Sequence, residues 1–420
     1  MAYTYNGFNF IDLFAGAGGL SEGFVSAGFN PVAHVEMNYD ACQTLKTRAC
    51  YHYLINNNNR LLYNKYLRGE VNIETLQSCV PKEVLNTIIN HEMSKKGMPK
   101  LFSQIDKLMI DKKIKSINLV IGGPPCQAYS LVGRAVKLNG MKDDPRNFLY
   151  QLYCRALARF KPELFVFENV PGLLTAQGGK YFSNIKKLFK RYGYELHYKI
   201  LNAFDFAVLQ NRKRVILIGW KKELNYSYPV FTSIQNDYTV NDILADLPIL
   251  QAGETNDTYR TANYSSYLVN SGIRSEEDIL TWNTARPHIE RDKEIYRKVV
   301  EAWNSNGTRL KYSDLPSELK THNNETAFLD RFKIVASDIP ASQTILAHIS
   351  KDGHYYIHPD ITQARSLTVR EAARIQSFPD NYYFEGSRTA VFTQIGNAVP
   401  PLMAKELANR IRLMMEERSE

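Results

Sequence analysis

Four short clusters in this 420-residue chain combine residue types that can do chemistry. Gly16-Ala17-Gly18-Gly19 follows the apolar run Asn9–Phe14 and precedes a helical spacing from Leu20 to Ala27. Glycines between a strand and a helix let backbone approach a ligand closely. Glu36 lies 20 residues beyond Gly16, after a second apolar run, Pro31–Val35. An acid there can accept hydrogen bonds from both ribose hydroxyls of an adenosine-containing cofactor. The spacing leaves a dinucleotide and a nucleoside sulfonium equally open. Gly122-Gly123-Pro124-Pro125-Cys126-Gln127 follows a third apolar run. Two prolines stiffen this loop, and a cysteine presented on it is either a nucleophile or an inert buried thiol. Glu168-Asn169-Val170-Pro171 ends a fourth run, where partial burial would raise the acid's pKa and let it hold a proton. The rival is an exposed strand-end glutamate. Gln210, Arg212 and Arg214 alternate just before a fifth run, which would place all three on one face suited to phosphate or base oxygens; a solvated edge is the alternative.

The elements that must position these clusters read as strand and helix in turn. Strands are expected at Ile117–Ile121, Leu164–Phe167 and Val215–Trp220, each nearly continuously apolar, as in a parallel sheet covered on both faces. Helices are expected at Phe148–Arg159 and Tyr181–Tyr192. Residues 1–220 therefore read as a doubly wound, mostly parallel α/β domain, with an insertion within 41–117. Residues 221–385 form a second, smaller and irregular domain in this reading, with one amphipathic helix from Lys293 to Trp303. The segment 386–420 closes the chain with a helix after Val399-Pro400-Pro401.

Charge is uneven: residues 1–220 carry 29 basic and 16 acidic side chains, and residues 221–360 carry 15 and 20. The basic half suits a polyanion partner. Within 41–117, Lys95, Lys96 and Lys100 are either a solvated face or contacts to the phosphates of such a polyanion. No apolar run approaches the ~18 residues that span a bilayer, and the start lacks a signal-peptide pattern. Five cysteines with no C-x-x-C pair argue against a disulfide framework or a zinc site, and point to a reducing cytoplasm. His354 and His358 read as ordinary surface histidines, and no metal is expected.

In order along the chain, DLFAGAGGLSEGF (12–24), GGPPCQAYS (122–130), FENVPGLL (167–174), QNRKRVILIG (210–219), RSLTVREAARIQSFPD (365–380) and QIGNAVPPLMAKELANRI (394–411) resemble the blocks of the DNA cytosine-5 methyltransferases. The resemblance implies a Rossmann-like catalytic domain that binds S-adenosylmethionine and releases S-adenosylhomocysteine. It also implies a target-recognition domain between the fourth and fifth blocks, and a C-terminal block packed beside the first strand. Cys126 would attack C6 of a flipped cytosine, Glu168 would hold N3 and the exocyclic amine, Arg214 would contact O2, and Arg212 would support it. Phe14, Gly16, Gly18, Gly19, Leu20, Glu36, Met37, Ile105, Pro124, Leu149, Asn397 and Ala398 would contact the cofactor. The family's Asp-Ile pair at the adenine corresponds to Gln104-Ile105, with Asp106 as rival. Ala207 and Leu209 replace the usual Gly and Pro, and Tyr129 the usual Phe. The implied partner is double-stranded DNA, met by a monomer in the bacterial cytoplasm or nucleoid, with a cognate restriction endonuclease acting separately and no membrane. The rivals are a transfer-RNA cytosine-5 methyltransferase, whose Cys-Phe-Thr segment is absent here, and a catalytically silent DNA-binding regulator, against which Cys126, Glu168 and Arg214 stand intact.

Overall fold

The computed structural model describes residues 7–125, 149–234, 236–322 and 324–417. Its centre is a sheet of seven strands: β1 (Asn9–Leu13), β2 (Asn30–Glu36), β3 (Ile88–Asn90), β4 (Leu119–Gly122), β5 (Leu164–Asn169), β6 (Tyr194–Asn202) and β7 (Lys213–Lys221). The order across the sheet is β3-β2-β1-β4-β5-β7-β6. The pairs among β1 to β5 are parallel, whereas β7 runs antiparallel to both β5 and β6. The parallel direction expected for Val215–Trp220 is thus reversed. A strand buried on both faces reads as continuously apolar whichever way it runs. The outer strand β6, with four of its nine residues exposed, lacks that run and is not apparent in the sequence.

Each face of the sheet has its own apolar layer. Helices Met98–Asp111, Leu149–Phe160 and Lys180–Arg191 set Leu101, Leu157, Ile185 and Phe189 against Ile11, Val120, Phe165 and Leu217. On the opposite face, helices Gly19–Ser26 and Pro401–Glu416 set Phe24, Leu407 and Ile411 against Phe10, Ile121 and Ile218. The two helices touch backbone to backbone at Gly23, where a Cβ would lie 2.3 Å from the Ala404 carbonyl carbon. The helix Pro401–Glu416 is thereby fixed beside the glycine-turn helix.

Residues after β7 supply most of two further interiors. One joins Val240, Leu268, Ile345, Ala373, Phe378 and Ile395 with Ala17 of the glycine turn. The other, around Ile295, Val299, Tyr312, Phe332 and Ile357, is built wholly from the second half of the chain. The short helix Val369–Ile375, part of the first of these, opens on a Thr368–Glu371 capping box. Its neighbourhood buries Arg365, Arg370 and Arg374 completely. Arg365 forks onto Glu371 at 2.7 and 2.8 Å, and Arg374 reaches Asp246 and Asp380. Buried charge persists here because each guanidinium meets a carboxylate.

His354 and His358 are buried rather than superficial, each less than a tenth exposed. Tyr296 Oη lies 2.7 Å from His354 Nδ1, and His358 Nδ1 accepts from the Asp360 N–H. The basic segment 41–117 is likewise not all surface. Arg48 is buried against Glu22 at 2.6 Å and Asn381 at 2.9 Å, which ties the helix Tyr39–Asn56 to the glycine-turn helix. Lys95, Lys96 and Lys100 are exposed beyond the end of β3. No described helix is long and apolar enough to cross a membrane.

Candidate active site

The expected strand ends converge on one edge of the sheet, where parallel α/β folds place their sites. β1 stops at Leu13, and Phe14, Gly16 and Gly18 all take left-handed backbone conformations, with φ of 61°, 55° and 84°. A Cβ at Gly16 would meet nothing within 4 Å, so the turn borders open space. Gly19 is glycine for another reason: its Cβ would sit 2.3 Å from the Val399 carbonyl oxygen and 3.1 Å from the Ala398 side chain. Asn397 and Ala398 therefore lie directly over the glycine turn, Asn397 exposed and Ala398 buried.

Glu36 ends β2 and binds this turn. Its carboxylate accepts N–H bonds from Gly16 at 2.8 Å, Met37 at 2.9 Å and Asn38 at 2.8 Å. Three donors against about four acceptor positions leave room for a ribose hydroxyl. Met37 beside it is 63% exposed, an apolar surface open to a flat ring. Leu20 is buried in the first turn of the glycine-turn helix, and Leu149 is half-buried at the start of its own helix. The open glycine turn, the acid with spare acceptor capacity and the exposed apolar side chain suit an adenosine-containing cofactor.

Ile105 does not belong to this surface. It is wholly enclosed in the core on the helix Met98–Asp111. Asp106 on the same helix pairs with Arg159. The residue beside Glu36 at this edge of the sheet is Asn90, its register partner at the end of β3. The Asn90 side chain donates to the Glu36 and Met37 carbonyls at 3.1 and 2.9 Å. The signal was weak because β3 has only three residues, too few to show an alternation.

The second half of the site lies at β4, β5 and β7. Gly122 ends β4 against β1, where a Cβ would fall 2.1 Å from the Leu13 carbonyl oxygen. At Gly123 a Cβ would fall 2.5 Å from Glu168 Oε2, so the loop is glycine where the carboxylate passes. Asn169 donates to the Pro124 carbonyl at 3.1 Å and fixes that loop to the end of β5. Register sets Glu168 opposite Ile216, so Glu168 and Arg214 project on the same face of the sheet. They pair at 2.8 Å between Arg214 Nε and Glu168 Oε1, with side chains 10% and 12% exposed. Burial pushes the Glu168 pKa above the usual carboxylate value, although Arg214 and Arg212 pull the other way. Cys126 lies outside the described residues, directly after Pro125.

Gln210 and Arg212 do not share the outlook of Arg214. Both are fully buried. Gln210 donates to Gln376 Oε1 at 2.6 Å, and Arg212 spends its two terminal nitrogens on the carbonyls of Ile345, Gly396 and Ala398. β7 begins only at Lys213, so the residues before it are not bound to the pleat that the alternation assumed. Arg212 is therefore turned to the backbone of other segments.

Comparison with known proteins agrees with this architecture. The model of C-5 cytosine-specific DNA methylases matches residues 8–81 and 87–413. The type II methyltransferase M.Bpa9945I of Bacillus paralicheniformis is 45% identical over 96% of this chain and 98% of its own length. M1.HphI of Haemophilus parahaemolyticus, also named a type II methyltransferase, is 31% identical over 99% and 88%. A prophage-encoded E. coli structure, described as a candidate DNA modification methyltransferase, superposes with a TM-score of 0.63 at 23% identity, covering 97% and 99% of the two chains. That last likeness speaks for the fold, and the first three for descent. The chain belongs to the C-5 cytosine-specific DNA methylase family and is a methyltransferase enzyme.

Proposed function

We propose that the protein methylates C5 of a cytosine swung out of a specific double-stranded DNA site, with Cys126 as the nucleophile and S-adenosylmethionine as the donor. The observation that carries this reading is the buried Glu168–Arg214 pair set against the Gly123–Pro125 loop that leads into Cys126. C5 of cytosine is a poor nucleophile until C6 is attacked. The Cys126 thiolate bonds to C6, and the ring electrons move through C4 to N3. Glu168, whose pKa burial raises, gives N3 its proton, while Arg214 holds the O2 side. S-adenosylmethionine, when bound, supplies an activated methyl group within reach of C5. A base then takes the C5 proton, the C5–H bonding electrons restore the C5–C6 double bond as the Cys126 thiolate leaves, and N3 returns its proton to Glu168. The target must leave the duplex stack to reach this notch.

Glu36 would hold the ribose, Met37 and Asn90 would border the adenine, and Gly16, Gly18, Gly19, Asn397 and Ala398 would frame the rest. Residues 221–385 would read the target sequence and 386–420 complete the catalytic domain. Because the relatives are named type II methyltransferases, the chain would be the modification partner of a separate restriction endonuclease, acting as a monomer in the cytoplasm.

The test is a duplex carrying 5-fluorocytosine at the site mapped by bisulfite sequencing of DNA from expressing cells. Fluorine cannot leave as a proton, so a stable protein–DNA adduct should form with S-adenosylmethionine and vanish in Cys126→Ser. Undiminished methylation by that variant would remove Cys126 as nucleophile. Methylation of transfer RNA in place of the duplex would overturn the substrate.

A further inference from the structure

Three stretches far apart in sequence meet at the guanidinium of Arg212. Nη1 donates to the Ile345 carbonyl at 2.7 Å, and Nη2 to the Gly396 and Ala398 carbonyls at 2.9 and 2.8 Å. The two latter carbonyls flank Asn397, the exposed residue of the loop over the glycine turn. One fork thus fixes the backbone on both sides of a residue open to ligand.

Its other arm holds the segment assigned to target recognition. That segment runs along the approach to β7: Ser342 N donates to Leu209 O at 3.0 Å, and Asn211 N to Ser342 O at 2.9 Å. Ile345 N donates to Gln210 Oε1 at 3.0 Å. The turn Ala347–Ser350 then lies against the cofactor loop, since a Cβ on Gly396 would fall 2.2 Å from Ala347 N. Gln376 supplies a second tie, donating to Ala398 O at 2.7 Å and accepting from Gln210. Two residues beyond Arg212, Arg214 holds Glu168.

We infer that Arg212 is a positioning residue that couples the target-recognition segment to the cofactor loop, so that each ligand tightens the binding of the other. The inference rests on the proposed cofactor and DNA assignments of Asn397–Ala398 and residues 221–385. Displacing Ile345 displaces the fork, and the fork carries Gly396 and Ala398 with it. A planar guanidinium serves both segments at once, whereas a lysine ammonium is a point donor on a flexible stem. Coupling between two bound ligands must be reciprocal.

The experiment uses the full chain and Arg212→Lys, each titrated calorimetrically with S-adenosylhomocysteine, alone and with saturating duplex bearing the mapped site. In the parent the duplex should tighten cofactor binding by about 5-fold or more, within the usual range of coupling between sites. In Arg212→Lys the ratio should fall to about one, while affinity without duplex falls by less than that factor. Gln376→Met removes the other donor to Ala398 and should give an intermediate ratio. It also carries the test if Arg212→Lys does not melt cooperatively. An unchanged ratio in the variants would overturn the inference, as would a loss of affinity that is equal with and without duplex. A parent that binds S-adenosylhomocysteine but shows a ratio of one would overturn the coupling alone. A parent that binds none would overturn the cofactor site and the coupling with it.

Discussion

Glu168→Gln tests the chemistry at the point where the structure is most specific. The amide keeps the shape of the carboxyl and an oxygen for Arg214, but it has no acid proton to give to N3. Both members of the pair are about nine-tenths buried, so little water is at hand to replace the missing proton donor. General acid catalysis by a positioned side chain is worth about 10²–10⁴ in rate, or about 3–5 kcal/mol of barrier. The single-turnover methylation rate should therefore fall by about two to four decades. The pH profile supplies a second readout. Burial lifts the Glu168 pKa above its ordinary 4.5 despite the two arginines. The reaction needs the protonated form, so the parent's rate should decline as pH rises through that folded value. The Gln variant does not titrate and should lack this decline. Cofactor affinity should not change, because Glu36 ends β2 and Glu168 ends β5, three strand spacings of ~4.8 Å apart in the sheet order. The assay is transfer of a tritiated methyl group to the mapped duplex across pH. A rate within tenfold of the parent, or a decline with rising pH that survives in Glu168→Gln, would refute the assignment.

Three further substitutions probe the frame around the site. Glu36→Ala removes the acceptor of three backbone N–H groups and, in the proposed site, of a ribose hydroxyl, and should weaken S-adenosylhomocysteine binding by about 1.5–3 kcal/mol; calorimetry that finds the parent's affinity would dismiss this role. Gly19→Ala drives a Cβ into the Val399 carbonyl, so it should cost about 1–3 kcal/mol of stability and also weaken cofactor binding, read by thermal melting and titration. Arg48→Met strands the Glu22 carboxylate, 7% exposed, beside His52 alone, with a stability loss of about 3–5 kcal/mol. Burial opposes ionisation of Glu22, yet Arg48 and His52 hold its pKa well below the ordinary 4.5. Its stabilising effect is thus full above that value and lost as pH falls through the lower folded value. Arg48→Met should flatten this acid loss in urea melts, and an equally steep loss would speak against the pair as its source.

What the sequence determined by itself was the local chemistry of the strand ends. Gly16 to Gly19, Glu36, Gly123 and Glu168 each sit where a short apolar run stops, and in a parallel sheet those stops share one edge. Each assignment needed only a window of a few residues, and the order of six such windows sufficed for the family resemblance. Tertiary structure decided whatever depends on partners distant along the chain. Strand β7 reads as apolar in either direction, and only its neighbours β5 and β6 make it antiparallel. Ile105 resembles a cofactor contact by position, but its helix turns it into the core, while the three-residue β3 brings Asn90 to Glu36. His354 and His358 look superficial until Tyr296 and Glu371, from separate helices, enclose them. Arg212 and Arg214 are two residues apart and alike in type. Arg214 meets Glu168 from β5, whereas Arg212 meets carbonyls 133 to 186 residues away. A side chain's type follows from its own codon, but its task follows from which unsatisfied groups folding brings within about 3 Å of it.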